Sequence, residues 1–260
     1  MLKILKYSFY DLIRSRWSYV YLAFYLLLGS VLLFLNNDLS KAVITLMNVI
    51  VVLTPLIGTI FGIMYYYSSR EFTELLLAQP IKRRDIFLGQ YLGVALSLSA
   101  SLIIGLGIPF VAYGIFYSGA IWDYVTLLIT ATFLTMIFTA LAFNIAISTE
   151  NRIKGFGYAI LLWLFMAVIY DGMFLLGLVM FSEYPLENFS LLATVFNPID
   201  LSRILILLKL DISALMGYTG AVFQKFFGTN QGLFVSLGVL FVWTVIPIWR
   251  IVSKSNKKDF

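Results

Sequence analysis

The sequence predicts an all-α polytopic membrane protein. It has six transmembrane helices, an N-terminal interfacial helix, a short helix on the cytoplasmic side and two short outer helices before the last span. Three observations carry this. First, 61% of residues are hydrophobic and only 12% are charged, with a mean hydropathy of +0.95, whereas about a quarter of a soluble domain is charged. Second, six apolar runs reach the roughly 20 residues needed to cross about 30 Å of hydrocarbon. They are Trp17–Leu35, Ala42–Tyr67, Ile86–Tyr117, Tyr124–Ile147, Gly155–Phe181 and Leu233–Ile251. Third, of the 18 basic residues only Lys41, Arg203, Lys209 and Lys225 fall on the side opposite Lys3, Arg70, Arg83, Arg152 and Lys254. The positive-inside rule then puts both termini in the cytoplasm. The net charge of +5 reflects that asymmetry and calls for no nucleic-acid partner. Six spans in 260 residues leave no room for a separate soluble domain, so residues 1–260 are expected to form one membrane domain.

In the N-terminal segment Leu2, Leu5, Phe9 and Leu12 share one helical face, with Lys3, Lys6 and Arg14 elsewhere. That pattern suits a helix in the cytoplasmic interface, and a plain basic flank is the simpler alternative. The first apolar run is longer than a signal-peptide core and no A-x-A-like site follows, so it reads as a retained span. Asn36-Asn37-Asp38 is the outer turn. In the second span Pro55 predicts a kink, and Gly58 and Gly62 form a G-x-x-x-G that permits close helix approach. Tyr65-Tyr66-Tyr67 marks the headgroup level.

Between the second and third spans lies Ser68–Asp85, SSREFTELLLAQPIKRRD. Ser68 and Glu71 fit the S-x-x-E capping box that opens a helix. Phe72, Leu75 and Leu76 fall at i, i+3, i+4 and give an apolar face. Pro80 ends the helix, and Lys82, Arg83 and Arg84 restart the chain. Read alone, this is an amphipathic surface loop anchored by three basic residues. The segment also resembles the coupling-helix segment of ABC exporter permeases of the drug and polysaccharide-exporter class. Glu71, Thr73, Glu74, Leu75, Leu76, Leu77, Pro80, Ile81, Arg83 and Arg84 carry that resemblance. It implies that Glu71, Phe72, Thr73, Glu74, Leu75, Leu76, Pro80, Arg83 and Arg84 dock in a groove of a separate ATPase subunit. It also implies a multi-pass location in the bacterial inner membrane.

The third span carries Gly105, Gly107 and Pro109, another expected bend, and Ser118–Asp123 is its outer turn. The fourth is threonine-rich and reaches Asn144; such hydroxyls bond back to their own helix. The fifth holds Asp171, an acid inside an apolar run and so a functional candidate. The alternative is a neutral or hydrogen-bonded Asp at a helix contact, with Tyr170 or a neighbouring Thr, since no span offers a cation to pair with it. Further on, Asn197-Pro198-Ile199-Asp200 is a helix start, with Asn as N-cap, Pro in the first turn and Asp complementing the dipole. Asp211 caps a second short helix through Met216, and the two helices are expected to dip into or lie on the outer leaflet.

The run Asn197–Phe223 (NPIDLSR…DISALMGYTGAVF) resembles the permeases of nitrous-oxide reductase maturation systems. The resemblance implies a homodimer joined to two copies of an ABC ATPase. A periplasmic repeat protein is a further implied partner, and so is a copper chaperone. Asn197, Pro198, Asp200, Arg203, Asp211 and Met216 would face the periplasmic partner, and the complex would support assembly of a copper–sulfur centre.

The chemistry available to the residues narrows this. There is no cysteine and no histidine, so no thiolate or imidazole metal site and no Ser-His or Cys-His pair is possible. No G-x-x-x-x-G-K-[ST] is present, so ATP and Mg would be bound by the partner ATPase, and this chain is expected to be a non-catalytic subunit without cofactor or metal. Met64, Met136, Met166, Met173, Met180 and Met216 are soft copper ligands in principle and adaptable core fillers in practice. Two other readings stay open: a generic ABC exporter of a lipid, peptide or drug, and a proton-coupled secondary carrier using Asp171. The absence of a convincing internal repeat ranks the carrier last.

Overall fold

The computed structural model describes residues 1–36, 38–181, 187–209 and 230–257. In chain order the helices are α1 (Leu2–Arg14), α2 (Arg16–Leu35), α3 (Leu39–Ser68), α4 (Arg70–Leu77), α5 (Arg83–Ala112) and α6 (Ile121–Ser148). Then come α7 (Arg152–Leu164), a π turn (Phe165–Ile169), α8 (Tyr170–Met180), α9 (Glu187–Phe196), α10 (Pro198–Lys209) and α11 (Asn230–Lys257). No strand occurs among the described residues. Six of these helical runs are long and apolar enough to cross a membrane: α2, α3, α5, α6, α7 with α8, and α11. The chain is a multi-pass, all-α membrane protein.

Polar residues set the breaks. Ser15 is extended, and its Oγ accepts from the Ser18 amide at 3.3 Å, separating α1 from α2. Asp38 caps α3 by accepting from the Ser40 amide at 2.9 Å. Asn151 caps α7 by accepting from the Ile153 and Lys154 amides at 2.9 and 3.2 Å. Each satisfies amide donors that a helix start leaves without a carbonyl.

The centre of the bundle is α3 against α6, joined by α5. The expected Gly58/Gly62 contact is present: Cβ atoms there would lie 3.3 Å from the Thr135 carbonyl and 3.1 Å from the Ala142 Cβ. A second stripe of small residues, Gly89, Gly93, Ser97, Ser101 and Gly105, runs up α5 at every fourth position. Both α1 and α2 lean on it. A Cβ on Gly93 would stand 2.5 Å from that of Ser8, and one on Gly105 2.8 Å from that of Tyr25. The Ser18 and Ser101 hydroxyls meet at 3.4 Å. Close backbone approach of this kind holds helices together where lipid removes the hydrophobic drive.

This seating changes the inner face of α1. Ile4, Ser8 and Leu12 are buried, whereas Leu2, expected on that face, is 75% exposed. The glycine groove of α5 selects the small Ser8 at the closest point, which hydrophobic periodicity does not reveal.

Both termini of the described chain, α4 and the α6–α7 turn lie on one face. The Met1 ammonium is 3.8 Å from Asp85, and Lys254 Nζ donates to Ser148 Oγ at 2.6 Å. Basic residues gather on this face, the basic face of the bundle.

On the opposite side α9 and α10 form a hairpin bent by 115° at Asn197. Its depth follows from register against the fifth span. Phe189 stacks with Phe174, the Tyr170 hydroxyl donates to the Ala193 carbonyl at 2.6 Å, and Asn197 Nδ2 donates to the Met166 carbonyl at 2.8 Å. Each turn of α9 thus advances one turn deeper along α8, reaching the middle of a span that runs from Arg152 to Met180. Trp243 Nε1, near the middle of α11, donates to the Val195 carbonyl at 3.0 Å and holds the same tip. Then α10 returns: Arg203 lies beside Asp171, nearer the far face than Met166. α9 and α10 thus form a turn-back inside the bundle, and the expected second outer helix, residues 211–216, lies outside the described residues. Asn197-Pro198 is the tip of the turn-back, where the sequence had suggested the first helix of an outer pair.

Candidate functional site

Two arrangements of polar side chains stand out. The first is the elbow α3–α4–α5 on the basic face. Its start is not the expected capping box. Ser68 ends α3, and Ser69 donates its hydroxyl to the Tyr65 carbonyl at 2.8 Å. The Ser69 and Thr73 amides bond the Tyr65 and Ser69 carbonyls at 2.9 Å each. Because the last turn of α3 supplies acceptors to the first turn of α4, no side-chain cap is required, and Glu71 is left exposed.

α4 is anchored through Thr73, which is buried. Its hydroxyl donates to the Ser69 carbonyl at 2.8 Å and accepts from Gln90 Nε2 of α5 at 2.8 Å. Phe72 stacks on Tyr7 of α1, ring centroids 4.7 Å apart. The predicted apolar face is consequently split. Phe72 and Leu76 are half-buried, but Leu75 is 68% exposed and stands away from the bundle with Glu71. Arg70 Nε pairs with Glu74 at 3.0 Å. Pro80 and Arg84 are exposed.

A cavity of about 570 Å³ lies inside this elbow. Its lining includes Arg70, Thr73, Glu74 and Arg83 from the predicted segment, with Tyr67 and Glu150 added. Tyr67 donates its hydroxyl to the Thr149 carbonyl at 2.7 Å and lies against Gly155, tying the elbow to the α6–α7 turn. Sequence reading missed Gln90, Tyr67 and Glu150. Gln90 alone left a signal, a long amide side chain one turn inside an apolar run.

The second arrangement is at the hairpin. Asn197 caps α10 as expected, its Oδ1 accepting from the Ile199 amide at 3.1 Å. Its amide nitrogen also donates to Asp200 Oδ2 at 2.7 Å and to the Met166 carbonyl at the π turn. A π turn widens the helix and frees a carbonyl for such use. Arg203 Nη1 lies 3.0 Å from Asp171 Oδ2 and 3.6 Å from Asp200 Oδ1.

Two expectations are corrected here. Asp171 has a cationic partner, which the sequence concealed because Arg203 sits 32 residues away on a helix assigned to the outer surface. Tyr170, suggested as its partner, bonds Ala193 instead. Moreover Asn197, Pro198 and Asp200 are buried in this chain rather than facing outward. Their polarity is used internally, to turn the chain at mid-bundle. Asp211 and Met216 lie outside the described residues.

Asn144, grouped with Asp171 as an intramembrane polar residue, is separate from it. Its Nδ2 donates to the carbonyls of Pro247 and Ala140 at 2.8 and 2.9 Å, tying α6 to α11. Among the described residues no group of three or more His, Cys, Asp or Glu side chains is placed to hold a metal ion.

No protein-family model matches the sequence. The chain is 27% identical over 179 residues to the protein described as "probable ABC transporter permease protein NosY" of Stutzerimonas stutzeri. The match covers 67% of this chain and 58% of the relative, so the chain spans somewhat more than half the length of that protein. The likeness is to an ABC transporter permease.

Proposed function

We propose that this chain is the non-catalytic, membrane-spanning permease subunit of an ATP-driven ABC transporter, with α4 as the element that docks on a separate ATPase. The observation that carries the reading is the division of labour in α4. Thr73 and Phe72 fasten it to α5 and α1, while Glu71 and Leu75 stand clear of the bundle and Glu74, paired with Arg70 along the elbow cavity, stays half exposed. An apolar knob between two carboxylates suits a groove with an apolar floor and a basic rim. The similarity to the NosY permease favours the same role.

Mechanically, α4 is the crosspiece between α3 and α5, two helices of 30 residues each. Displacing α4 displaces both as rigid rods, and α3 packs directly against α10. ATP-driven closure of two ATPase subunits, each holding ATP and Mg, would thereby move the hairpin by rigid-body shift. A homodimer about a two-fold axis supplies the second half of the permease.

The narrower reading is a role in maturation of the copper–sulfur centre of nitrous-oxide reductase, with a periplasmic repeat protein and a copper chaperone as partners. It rests on Asn197–Phe223 and on the NosY likeness. In that setting the chain transmits movement rather than carrying copper, because its soft ligands are dispersed: Met173 and Met180 are exposed along α8 whereas Met47 is in the core. Replacing Met136, Met166, Met173 and Met180 with Leu is expected to leave reductase copper loading intact; loss of copper from an assembled complex would refute it.

The coupling reading is tested by co-purification with a candidate ABC ATPase. Wild type should retain the ATPase, and a Glu71→Arg/Glu74→Arg variant should release it while still eluting as a folded membrane protein. Equal retention by both would rule out docking through this face of α4.

A further inference from the structure

Where α10 of the hairpin meets α8, two carboxylates and one guanidinium come together, and the three are not equivalent. Asp171 takes the short contact from Arg203, at 3.0 Å. Asp200 is the more buried acid, its side chain 10% exposed against 30% for Asp171. Asp200 Oδ2 accepts from Asn197, but its Oδ1 accepts no hydrogen bond and meets Arg203 only at 3.6 Å.

No other charge compensates among the described residues. α3, α6 and α11 pack against α10, yet the sequence has no charged side chain from Ala42 to Ser69, from Tyr124 to Thr149, or from Asn230 to Trp249. Phe189–Phe196 of α9, also packed against α10, carries no charge either. Among the described residues the ionisable groups that face the cluster are thus Asp171 and Tyr170 from α8 and Asp200 and Arg203 from α10, and Tyr170 is engaged with Ala193. Fully ionised, the cluster would carry a net negative charge at mid-bundle, with one carboxylate oxygen lacking a donor. An apolar interior penalises both features strongly. Adding one proton removes both, and the oxygen with no donor is on Asp200.

We propose that Asp200 is a proton-binding site, holding a proton on its carboxyl while the hairpin is packed, with Asp171 and Arg203 remaining as an ion pair. This is a different assignment from a proton site at Asp171, and it stands independently of the coupling role of α4. When the hairpin opens to water, Asp200 ionises and its proton leaves to the aqueous phase on the far face. Acidic medium on that face therefore favours the packed hairpin, and alkaline medium favours the open one.

The test is infrared spectroscopy of the full chain in phosphatidylcholine bilayers near neutral pH, reading the carbonyl stretch of a protonated carboxylic acid. Wild type should show the band, and the near-isosteric Asp200→Asn variant should lose it. Arg203→Gln should raise it about twofold, since removing the one cation makes neutrality require both acids protonated. Asp200→Glu should move the band, whereas Asp171→Glu should leave its position unchanged, which separates the two acids. Absence of the band in wild type, its survival in Asp200→Asn, or a shift with Asp171→Glu but not with Asp200→Glu would each overturn the proposal. Should Asp200→Asn fail to insert, the two Glu variants still decide it.

Discussion

The helix α4 and the junction of α8 with the α9–α10 hairpin use the same ionisable kit, one arginine and two carboxylates, to opposite ends. At the elbow Arg70 pairs with Glu74 while Glu71 stays exposed, and both paired side chains are about half exposed. Water screens such a pair, so its contribution to stability is on the order of 0–1 kcal/mol. The carboxylates there are available to a partner. At the hairpin Arg203 is shared between Asp171 and Asp200 in a poorly hydrated interior. There the charges hold the chain to itself, and removing one leaves another uncompensated. The lesson is that charge count does not distinguish a docking surface from an internal clasp; solvent does.

The sharpest way to break this comparison is to delete each arginine. Arg203→Ala should destabilise the chain by about 3–5 kcal/mol because it takes the cation from the Asp171 pair inside the bundle, leaving that acid either uncompensated or forced to take up a proton, against at most about 1 kcal/mol for Arg70→Ala. Denaturant unfolding in lipid nanodiscs measures both, and similar losses would erase the distinction.

A smaller effect isolates the anchoring of α4. Thr73→Val keeps the shape but removes the acceptor from Gln90, at a cost of roughly 1–3 kcal/mol for an unsatisfied buried donor. Hydrogen exchange should quicken in α4 and the start of α5, leaving α9 and α10 as protected as before. Spread of the effect to the hairpin amides would mean that the two regions are not separate units.

α1 contributes from the other side. Gly93→Leu should push α1 off α5 and cost about 1–3 kcal/mol through overpacking, because Ser8 stands where the new side chain begins. Since Tyr7 supports Phe72, this variant should also lower ATPase retention, and unchanged retention would show that α1 does not steady α4. The smallest stability effect is expected for Leu75→Ala, within about 0.5 kcal/mol at an exposed site. The same variant should clearly weaken ATPase retention in the pull-down described above. A large melting shift instead would place Leu75 in the bundle.

Much of this was legible beforehand. The spans were readable because about 20 apolar residues have no other stable home, and the elbow because an amphipathic turn flanked by Pro80 and basic residues interrupts them. Asn197 was readable as a cap, since Asn-Pro is a local signal that needs no partner. The stripe on α5 was harder to find. Gly89, Gly93, Ser97, Ser101 and Gly105 form a four-residue rhythm visible in the sequence, but small residues carry little hydropathy and leave no peak. The split of the α4 apolar face was hidden for a related reason. Periodicity identifies a face and does not say whether a neighbour covers it, and Tyr7 covers Phe72 alone.

The sequence by itself determined the class, the spans and several of the helix breaks, because these follow from local quantities: apolar length and cap chemistry. Tertiary structure alone decided the pairings. Arg203 meets Asp171, Gln90 meets Thr73 and Asn197 meets Met166 across 32, 17 and 31 residues of chain. Polar groups inside a bundle bond to whatever the packing brings within about 3 Å, and that is a property of the assembled helices, which no single helix encodes.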